Sequence, residues 1–204
     1  MSQVTIHGTP ISNYVRSCRM VCVEKGIDYD LEPCLPQTPE ILALNPSGKV
    51  PAFRHVALLL QESGAIARYL DETFDGPGLQ PEDAAGRIQM TLWMSLIADS
   101  FYQVMIREIA LPRFGLLKAS EEAIGSSAKV LEKQLARSDE TLGERRYLAG
   151  DAMSLADLFL VPIVAWVLKT PEGEGATARH PNLGRWVQDL AARPSFRETE
   201  PPSA

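Results

Sequence analysis

The sequence has few of the features that mark secreted, membrane-spanning or nucleic-acid-binding proteins. Its three cysteines, among 204 residues, are too few for a disulfide framework, which favours a reducing compartment. No apolar run approaches the ~20 residues that span a bilayer, and the first residues lack the basic and apolar regions of a secretion signal. The net charge of −6 argues against binding nucleic acid or an anionic membrane. We therefore expect a cytoplasmic globular protein that binds neither.

The first 75 residues alternate between strand and helix signals. Short apolar or alternating segments predict four strands, at Gln3–His7, Asp28–Glu32, Pro51–His55 and Ala57–Gln61. Helices are predicted at residues 13–25, ending at Gly26, and at Gly64–Thr73. This order predicts an α/β domain, with a small mixed sheet and helices packed on its faces.

The second part of the chain shows only helical patterns. Two Gly and two Pro between residues 74 and 81 indicate a linker, placed at residues 76–82. Helices are expected at residues 83–110, closed by Leu111-Pro112, then at 120–143, Leu155–Leu168 and Pro181–Ala192. The prediction is therefore a domain of residues 1–75 followed by an all-α domain of residues 83–204.

Three polar clusters in the first domain stand where a ligand could bind. In residues 9–16, Ser12 is a natural N-cap, and the helix it begins favours an anion. In residues 45–53, Pro51 opens a strand and the Val50–Pro51 bond could be cis. In residues 61–70, Ser63 is expected to cap a helix, with a carboxylate beside it. Ordinary helix capping and a loop entering an edge strand also explain each cluster taken singly.

Together these clusters resemble the glutathione site of the cytosolic glutathione S-transferases, in particular serine-type members that are bacterial-like or phi/theta-like. That family has an N-terminal thioredoxin-like domain and an all-helical C-terminal domain, which agrees with the two halves of this chain. Residues 150–157 also resemble the family's buried capping box, in which Ser154 caps a helix and Asp157 bonds back to the cap backbone. The resemblance covers nearly the whole chain.

The resemblance implies glutathione as co-substrate, with no metal, and a partner for each charged group of this tripeptide. Glu62 would accept the γ-glutamyl ammonium group, and Ser63, with the N–H groups of its helix, would bind the γ-glutamyl carboxylate. Lys49 would bind the glycyl carboxylate. Gln37 is assigned to the same carboxylate on its position alone.

The resemblance also implies how the cysteinyl part of glutathione is held. The backbone of Val50, presented by a cis Pro51, would pair with it like an added strand. Ser12 would donate a hydrogen bond to the sulfur and stabilise the thiolate. Tyr14 is the rival sulfur ligand, because some classes of the family use tyrosine, and Asn13 is a more remote one.

Other residues of the first helix leave alternatives open. Arg16, one turn beyond Ser12, either adds positive potential at the sulfur or is a solvated surface residue. Cys18 and Cys22 are interpreted as small buried apolar residues. The absence of a Cys-x-x-Cys motif argues against dithiol redox chemistry.

The electrophile is expected to bind between the two halves, with the helical domain contributing to its site. Its candidate wall residues are apolar or aromatic, and most are equally good core residues: Ile11, Met94, Ile97, Phe101, Tyr102 and Met105. One departure from the family lies at residues 54–57, where a Gly or Asp-Gly turn is usual. His55 and Val56 tolerate the positive φ of tight hairpins poorly.

Three functions remain compatible with the sequence. The first is a transferase that conjugates glutathione to small hydrophobic electrophiles, with possible peroxidase activity. The second is a glutathione-dependent isomerase or dehalogenase, although the Ser-Ser-Cys-like signature of the isomerases is missing. The third is a non-catalytic binding or regulatory protein on the same fold. The family also implies a homodimer.

Overall fold

A computed structural model describes residues 3–202. They form two compact units, one containing the residues up to Leu79 and those from Ala192 onward, the other containing Gln80–Ala191. From the sequence, the last residues were expected to belong to the helical domain. They group instead with the first unit, because the short helix Pro194–Glu198 packs against the helix Asn13–Lys25.

The first unit contains a four-stranded mixed sheet. Its strands are β1 (Val4–His7), β2 (Tyr29–Glu32), β3 (Ala52–His55) and β4 (Leu58–Gln61), in the order β2-β1-β3-β4. β1 is parallel to β2 and antiparallel to β3, and β3 is antiparallel to β4. The four predicted strands are confirmed, each beginning one residue later than predicted. A parallel pair needs a crossover, and the helix between β1 and β2 provides it.

Four helices accompany this sheet. They are α1 (Asn13–Lys25), α2 (Pro39–Leu44), α3 (Ser63–Thr73) and α10 (Pro194–Glu198). α1 has the predicted bounds, because Ser12 caps its start and Gly26 ends it in the left-handed conformation, with φ of 68°. α2 and α10 were not predicted, since helices of six and five residues are too short to show a periodic apolar pattern.

The turn between β3 and β4 contains a residue in a disfavoured backbone conformation. Val56 has φ of 53°, and its side chain is 67% exposed. A β-branched side chain clashes with the backbone in this region, so the difficulty predicted for this turn is real. The hairpin forms because the strand pairing continues on both sides of the turn.

Two buried charges hold the end of the first unit in place. Lys25 Nζ lies 3.1 Å from Asp71 Oδ1 and donates to the carbonyl of Pro77 at 3.2 Å. Asp71 Oδ1 also accepts the N–H of Leu79 at 2.9 Å. These bonds satisfy a buried ion pair and fix the segment after α3, which contains the predicted linker.

The second unit is helical in its described residues. A long helical segment comprises α4 (Ala84–Leu96), two stretches of wider π-helical turns (Ile97–Phe101 and Gln103–Ala110) and α5 (Leu111–Arg113). The helix was predicted to end at residue 110, before Leu111-Pro112, and it continues for three more residues, to Arg113. The turn before Pro112 is widened, with the N–H of Leu111 bonded to Ile106 O, which accommodates a residue without its own N–H.

The remaining helices surround a buried one. They are α6 (Glu121–Glu144), α7 (Leu155–Val167), α8 (Ala176–Arg179) and α9 (Pro181–Ala191), with a 3₁₀ turn at Pro171–Gly173. α7 is almost wholly buried, which confirms the predicted core helix, whereas α8 was not predicted. No helix among residues 3–202 is long and apolar enough to cross a membrane.

Asp157 organises the start of α7. Its Oδ2 accepts the N–H of Ser154 at 2.8 Å and the Ser154 hydroxyl at 2.9 Å. Its Oδ1 accepts the N–H of Leu148 at 3.0 Å and the indole N–H of Trp186 at 2.9 Å. Burial raises the pKa of Asp157, and the four donors act against that shift. Asp157 thus bonds to the Ser154 backbone as the resemblance implies.

Candidate functional site

Three segments of the first unit meet at Gly8, immediately after β1. Gly8 has φ of 153°, and a Cβ atom there would lie 2.5 Å from Val15 Cγ2 and 3.1 Å from Val50 Cβ. No other residue fits this approach, so the first turn of α1 and Val50 lie side by side at the end of the sheet. The sequence analysis did not single out Gly8, although a glycine between a strand and a helix cap is a signal for such a close approach.

Ser12 begins α1 beside this meeting point. It has extended backbone angles, and its Oγ accepts the N–H of Val15 at 3.5 Å, which is long for a capping bond. Among the described residues its hydroxyl donates to no other group. An O–H donor and the positive end of a helix are therefore both available to an anion. Tyr14, the rival, lies two residues further along and is half-buried.

Val50 offers its backbone to a ligand. The Val50–Pro51 bond is cis, and Pro51 is buried. Within residues 3–202, neither the N–H nor the C=O of Val50 makes a backbone hydrogen bond. A free donor and a free acceptor on one half-buried residue can pair with a peptide in the manner of an added strand.

A buried asparagine shapes the loop that precedes Val50. Asn45 is 2% exposed; its Nδ2 donates to Lys49 O at 2.8 Å, and its Oδ1 accepts the N–H and hydroxyl of Ser47 at 3.0 and 2.8 Å. These three bonds fix the loop on which the exposed Lys49 side chain stands. The sequence analysis gave Asn45 no role. Its signal was the Asn-Pro-Ser-Gly run, because asparagine often bonds to the backbone two residues on.

Gln37 lies against the same loop. Its N–H donates to Gly48 O at 2.9 Å and its Nε2 donates to Ser47 O at 3.1 Å. Its side chain covers Gly48 so closely that a Cβ there would lie 2.5 Å from Gln37 Nε2. The structure thus brings Gln37 and Lys49 onto adjoining loops.

The N-terminus of α3 forms another part of the site. Glu62, the residue before the helix, has φ of 65° and ψ of 111°, which is rare for a residue with a side chain. Ser63 is the first helical residue; the prediction that it caps α3 is wrong, since Glu62 is at the cap position and makes no side-chain cap bond. The first N–H groups of α3 are thus left for another acceptor.

A contact joins the second turn of α1 to the start of α3. Cys18 Sγ lies 3.7 Å from Ser63 O, and the two helices pack against each other. Burial raises the pKa of Cys18 well above its usual range, and that of Cys22 to about 12. Both thiols stay protonated and both are fully buried, which confirms their interpretation as small core residues.

Arg16 is not a solvated surface residue, because its side chain is buried against the C-terminal segment.

The proposed electrophile wall is also changed by the structure. Ile97, Phe101 and Met105 are buried in the core of the second unit, whereas Ile11 is exposed and Met94 and Tyr102 are half-buried. Other apolar side chains of the second unit are exposed after α5: Phe114, Leu116 and Leu117.

No group of three or more metal-ligating side chains is found between residues 3 and 202. The polar groups of the first unit instead provide two helix N-termini, a free backbone pair, a lysine and a carboxylate. This arrangement suits an anionic, peptide-like ligand that also carries a cation.

Comparison with known proteins identifies the family. The profile of the "Glutathione S-transferase, N-terminal domain" matches residues 6–78, and that of the "Glutathione S-transferase, C-terminal domain" matches residues 90–194. The chain therefore belongs to the glutathione S-transferase family.

Individual relatives agree with this assignment. Glutathione S-transferase F14 of Arabidopsis thaliana is 32% identical over 90% of this chain and 78% of its own length. Glutathione S-transferase 3 of Zea mays is 29% identical over 98% and 94%. A glutathione-bound theta-class enzyme of Xanthomonas axonopodis pv. citri has a TM-score of 0.87 and 29% identity, covering 100% of this chain and 99% of that one. Glutathione transferase F7 of Populus trichocarpa has a TM-score of 0.84 and 27% identity, over 96% and 97%.

Proposed function

We propose that this protein is a glutathione S-transferase in which Ser12 stabilises the glutathione thiolate for attack on small hydrophobic electrophiles. The observation that carries the proposal is that Gly8 brings Val50, whose backbone is free, against Val15, whose N–H bonds to the Ser12 hydroxyl oxygen. A cysteinyl residue paired with Val50 would then direct its sulfur toward the N-terminus of α1. Family membership and the glutathione-bound neighbour support the same ligand.

The ends of glutathione have partners in the same unit. We assign the γ-glutamyl ammonium to Glu62 and the γ-glutamyl carboxylate to Ser63 and the uncapped N–H groups of α3. We assign the glycyl carboxylate to Lys49, with Gln37 beside it. We assign Pro51 to holding the backbone of Val50 in place for this pairing.

The energy required for thiolate formation matches what these groups supply. A free thiol has a pKa of about 8.5, and lowering it by two units takes about 2.7 kcal/mol. A charge-assisted hydrogen bond contributes about 1.5–3 kcal/mol, and a helix N-terminus contributes about 0.3–1 kcal/mol. No general base is then needed. The sulfur forms a bond to the electrophilic carbon while the leaving group departs, and the thiol proton has already passed to water.

Apolar surface supports the remaining assignments. Phe114, Leu116 and Leu117 are exposed in the second unit and offer contacts to a hydrophobic electrophile. A homodimer is supported by exposed apolar side chains elsewhere: Val56, Leu58 and Leu59 in the first unit, Ile88 and Leu92 in the second. A monomeric mass in solution would rule that dimer out. Unpaired thiols suit a cytoplasmic location.

The test is an ultraviolet pH titration of bound glutathione, in which the thiolate absorbs. We expect a thiolate band below pH 7 in the wild type, a thiol pKa about one to two units higher in Ser12→Ala, and no change in the matched variant Tyr14→Phe. A shift in Tyr14→Phe alone would transfer the role to Tyr14. Binding with an unshifted thiol would contradict thiolate activation, and absence of binding would favour a regulatory protein.

A further inference from the structure

Arg16 is a buried cation near the start of α1. It is 2% exposed, its Nη2 donates to Phe196 O at 2.8 Å and its Nε to Thr199 Oγ1 at 3.4 Å. Its guanidinium carbon also lies 4.0 Å from the centroid of the Phe196 ring. All of these partners are neutral, so they hold the guanidinium in place without cancelling its charge.

Burial lowers the pKa of Arg16 to about 10, which still leaves it cationic at neutral pH. Glu200 acts to raise that pKa and Arg19 to lower it. Within residues 3–202, no carboxylate oxygen forms an ion pair with its guanidinium. The segment after Arg193 therefore buries a positive charge whose hydrogen-bond acceptors are neutral, with Glu200 as a nearby carboxylate that is not bonded to it.

The other charges around α1 are engaged elsewhere or exposed. On α1 itself, Glu24 is paired with Arg193 at 2.6 Å, and on α3, Asp71 is paired with Lys25. Burial lowers the pKa of His7 on β1, so it is neutral at pH 7. The remaining charged side chains on the packed elements and after α10 are exposed: Arg68, Glu72, Arg197, Glu198 and Glu200.

We propose that Arg16 supplies a fixed positive charge that lowers the pKa of the glutathione thiol bound at Ser12. The N–H of Arg16 bonds to Ser12 O at 2.9 Å, so the two residues are one helical turn apart. The charge cannot be screened by water, because the C-terminal segment covers it. In a medium with an effective dielectric constant of about 20, a unit charge that lies about 10 Å from a thiol shifts the thiol pKa by about one unit. Arg16 does not touch the sulfur; it adds its field to that of the helix N-terminus.

This inference rests on the proposed function, and its first test separates charge from packing. The thiol pKa of bound glutathione is measured in Arg16→Gln, Arg16→Lys and Arg19→Gln. Arg19 is the matched control because its guanidinium also bonds to the C-terminal segment, at Glu198 O and Thr199 O, both at 3.3 Å. We expect a rise of about one unit in Arg16→Gln, and values near wild type in the other two.

Two results would overturn the proposal. One is an unchanged thiol pKa in Arg16→Gln. The other is an equal rise in all three variants, which would show that Arg16 acts only by holding the C-terminal segment.

A second pair of variants keeps Arg16 and therefore does not depend on whether Arg16→Gln folds. Thr199→Asp places a carboxylate beside the guanidinium, and Thr199→Asn places a neutral group of the same shape there. We expect Thr199→Asp to raise the thiol pKa and Thr199→Asn to leave it near wild type. Equal values in the two would contradict a role for the charge.

S-methylglutathione distinguishes the failure of this inference from failure of the proposed function. It retains the peptide but has no ionisable thiol, so its affinity should be the same in the wild type and Arg16→Gln. If the wild type binds neither ligand, the proposed function fails. If it binds both and lowers the thiol pKa, but Arg16→Gln lowers it equally, only the role of Arg16 fails.

Discussion

The start of α7 in the second unit and the candidate site of the first unit differ in how far their polar groups are hydrogen-bonded. At Asp157 in the second unit, four donors converge on one buried carboxylate, and both of its oxygens are used. At the candidate site of the first unit, Ser12 and Val50 keep unused hydrogen-bonding groups, and Glu62 adopts a disfavoured conformation. Satisfied groups stabilise a fold, whereas unsatisfied and strained groups persist where a ligand completes them.

The largest loss of stability is expected when Asp157 is replaced. Asp157→Ala leaves four buried donors without an acceptor, and we expect it to lower the free energy of unfolding by about 3–5 kcal/mol. Urea unfolding followed by circular dichroism and tryptophan fluorescence measures this loss, because Trp186 is one of the donors. Asp151→Ala is the matched control, since Asp151 is exposed in the segment just before α7. Equal stabilities of the two variants would contradict the role of Asp157.

Smaller effects are expected at Glu62, the strained residue of the site, where stability should rise and glutathione affinity should fall. Glu62→Gly removes the side chain that disfavours φ of 65° and should stabilise the protein by about 1 kcal/mol. It also removes the partner of the glutathione ammonium, so affinity should fall about tenfold. Calorimetry of glutathione binding and urea unfolding measure both.

Glu62→Gln separates these two effects. It keeps the strain and removes only the charge, so we expect weaker binding with unchanged stability. If Glu62→Gly instead binds glutathione as well as the wild type does, the carboxylate has no role in the site.

The features that could be predicted from the sequence are those that depend on local sequence patterns. Alternation and capping signals located the four strands and α1, and the order of the polar clusters indicated the glutathione S-transferase family. The positions that the sequence did not reveal depend on tertiary contacts. Gly8 matters because Val15 and Val50 approach it, and Asn45 because it bonds to Ser47 and Lys49. These partners lie between 2 and 42 residues away along the chain, and no periodicity records them.

The positions of Arg16 and of the C-terminal residues also depend on tertiary contacts. From the sequence alone, Arg16 is either a positive charge near the sulfur or a surface residue, and the residues after 192 are assigned to the helical domain. Their contact buries both: Arg16 bonds to Phe196 and Thr199, and Glu24 bonds to Arg193. Long-range pairing thus determined both the extent of the first unit and the environment of its most unusual charge.

The smallest effect is expected at Val56, whose backbone is strained but which lies outside the candidate site. Val56 shares the positive φ of Glu62, but it lies in the β3–β4 turn with an exposed side chain. Asparagine tolerates this conformation, so Val56→Asn should stabilise the protein by about 1 kcal/mol and leave glutathione affinity unchanged. Ala57→Asn, one residue further on, is the control for adding an amide to this turn and should not stabilise it. A stability gain without a binding loss at Val56, beside a gain with a loss at Glu62, would show that the same backbone strain is functional at one position and incidental at the other. Weakened glutathione binding by Val56→Asn would instead make the turn part of the site.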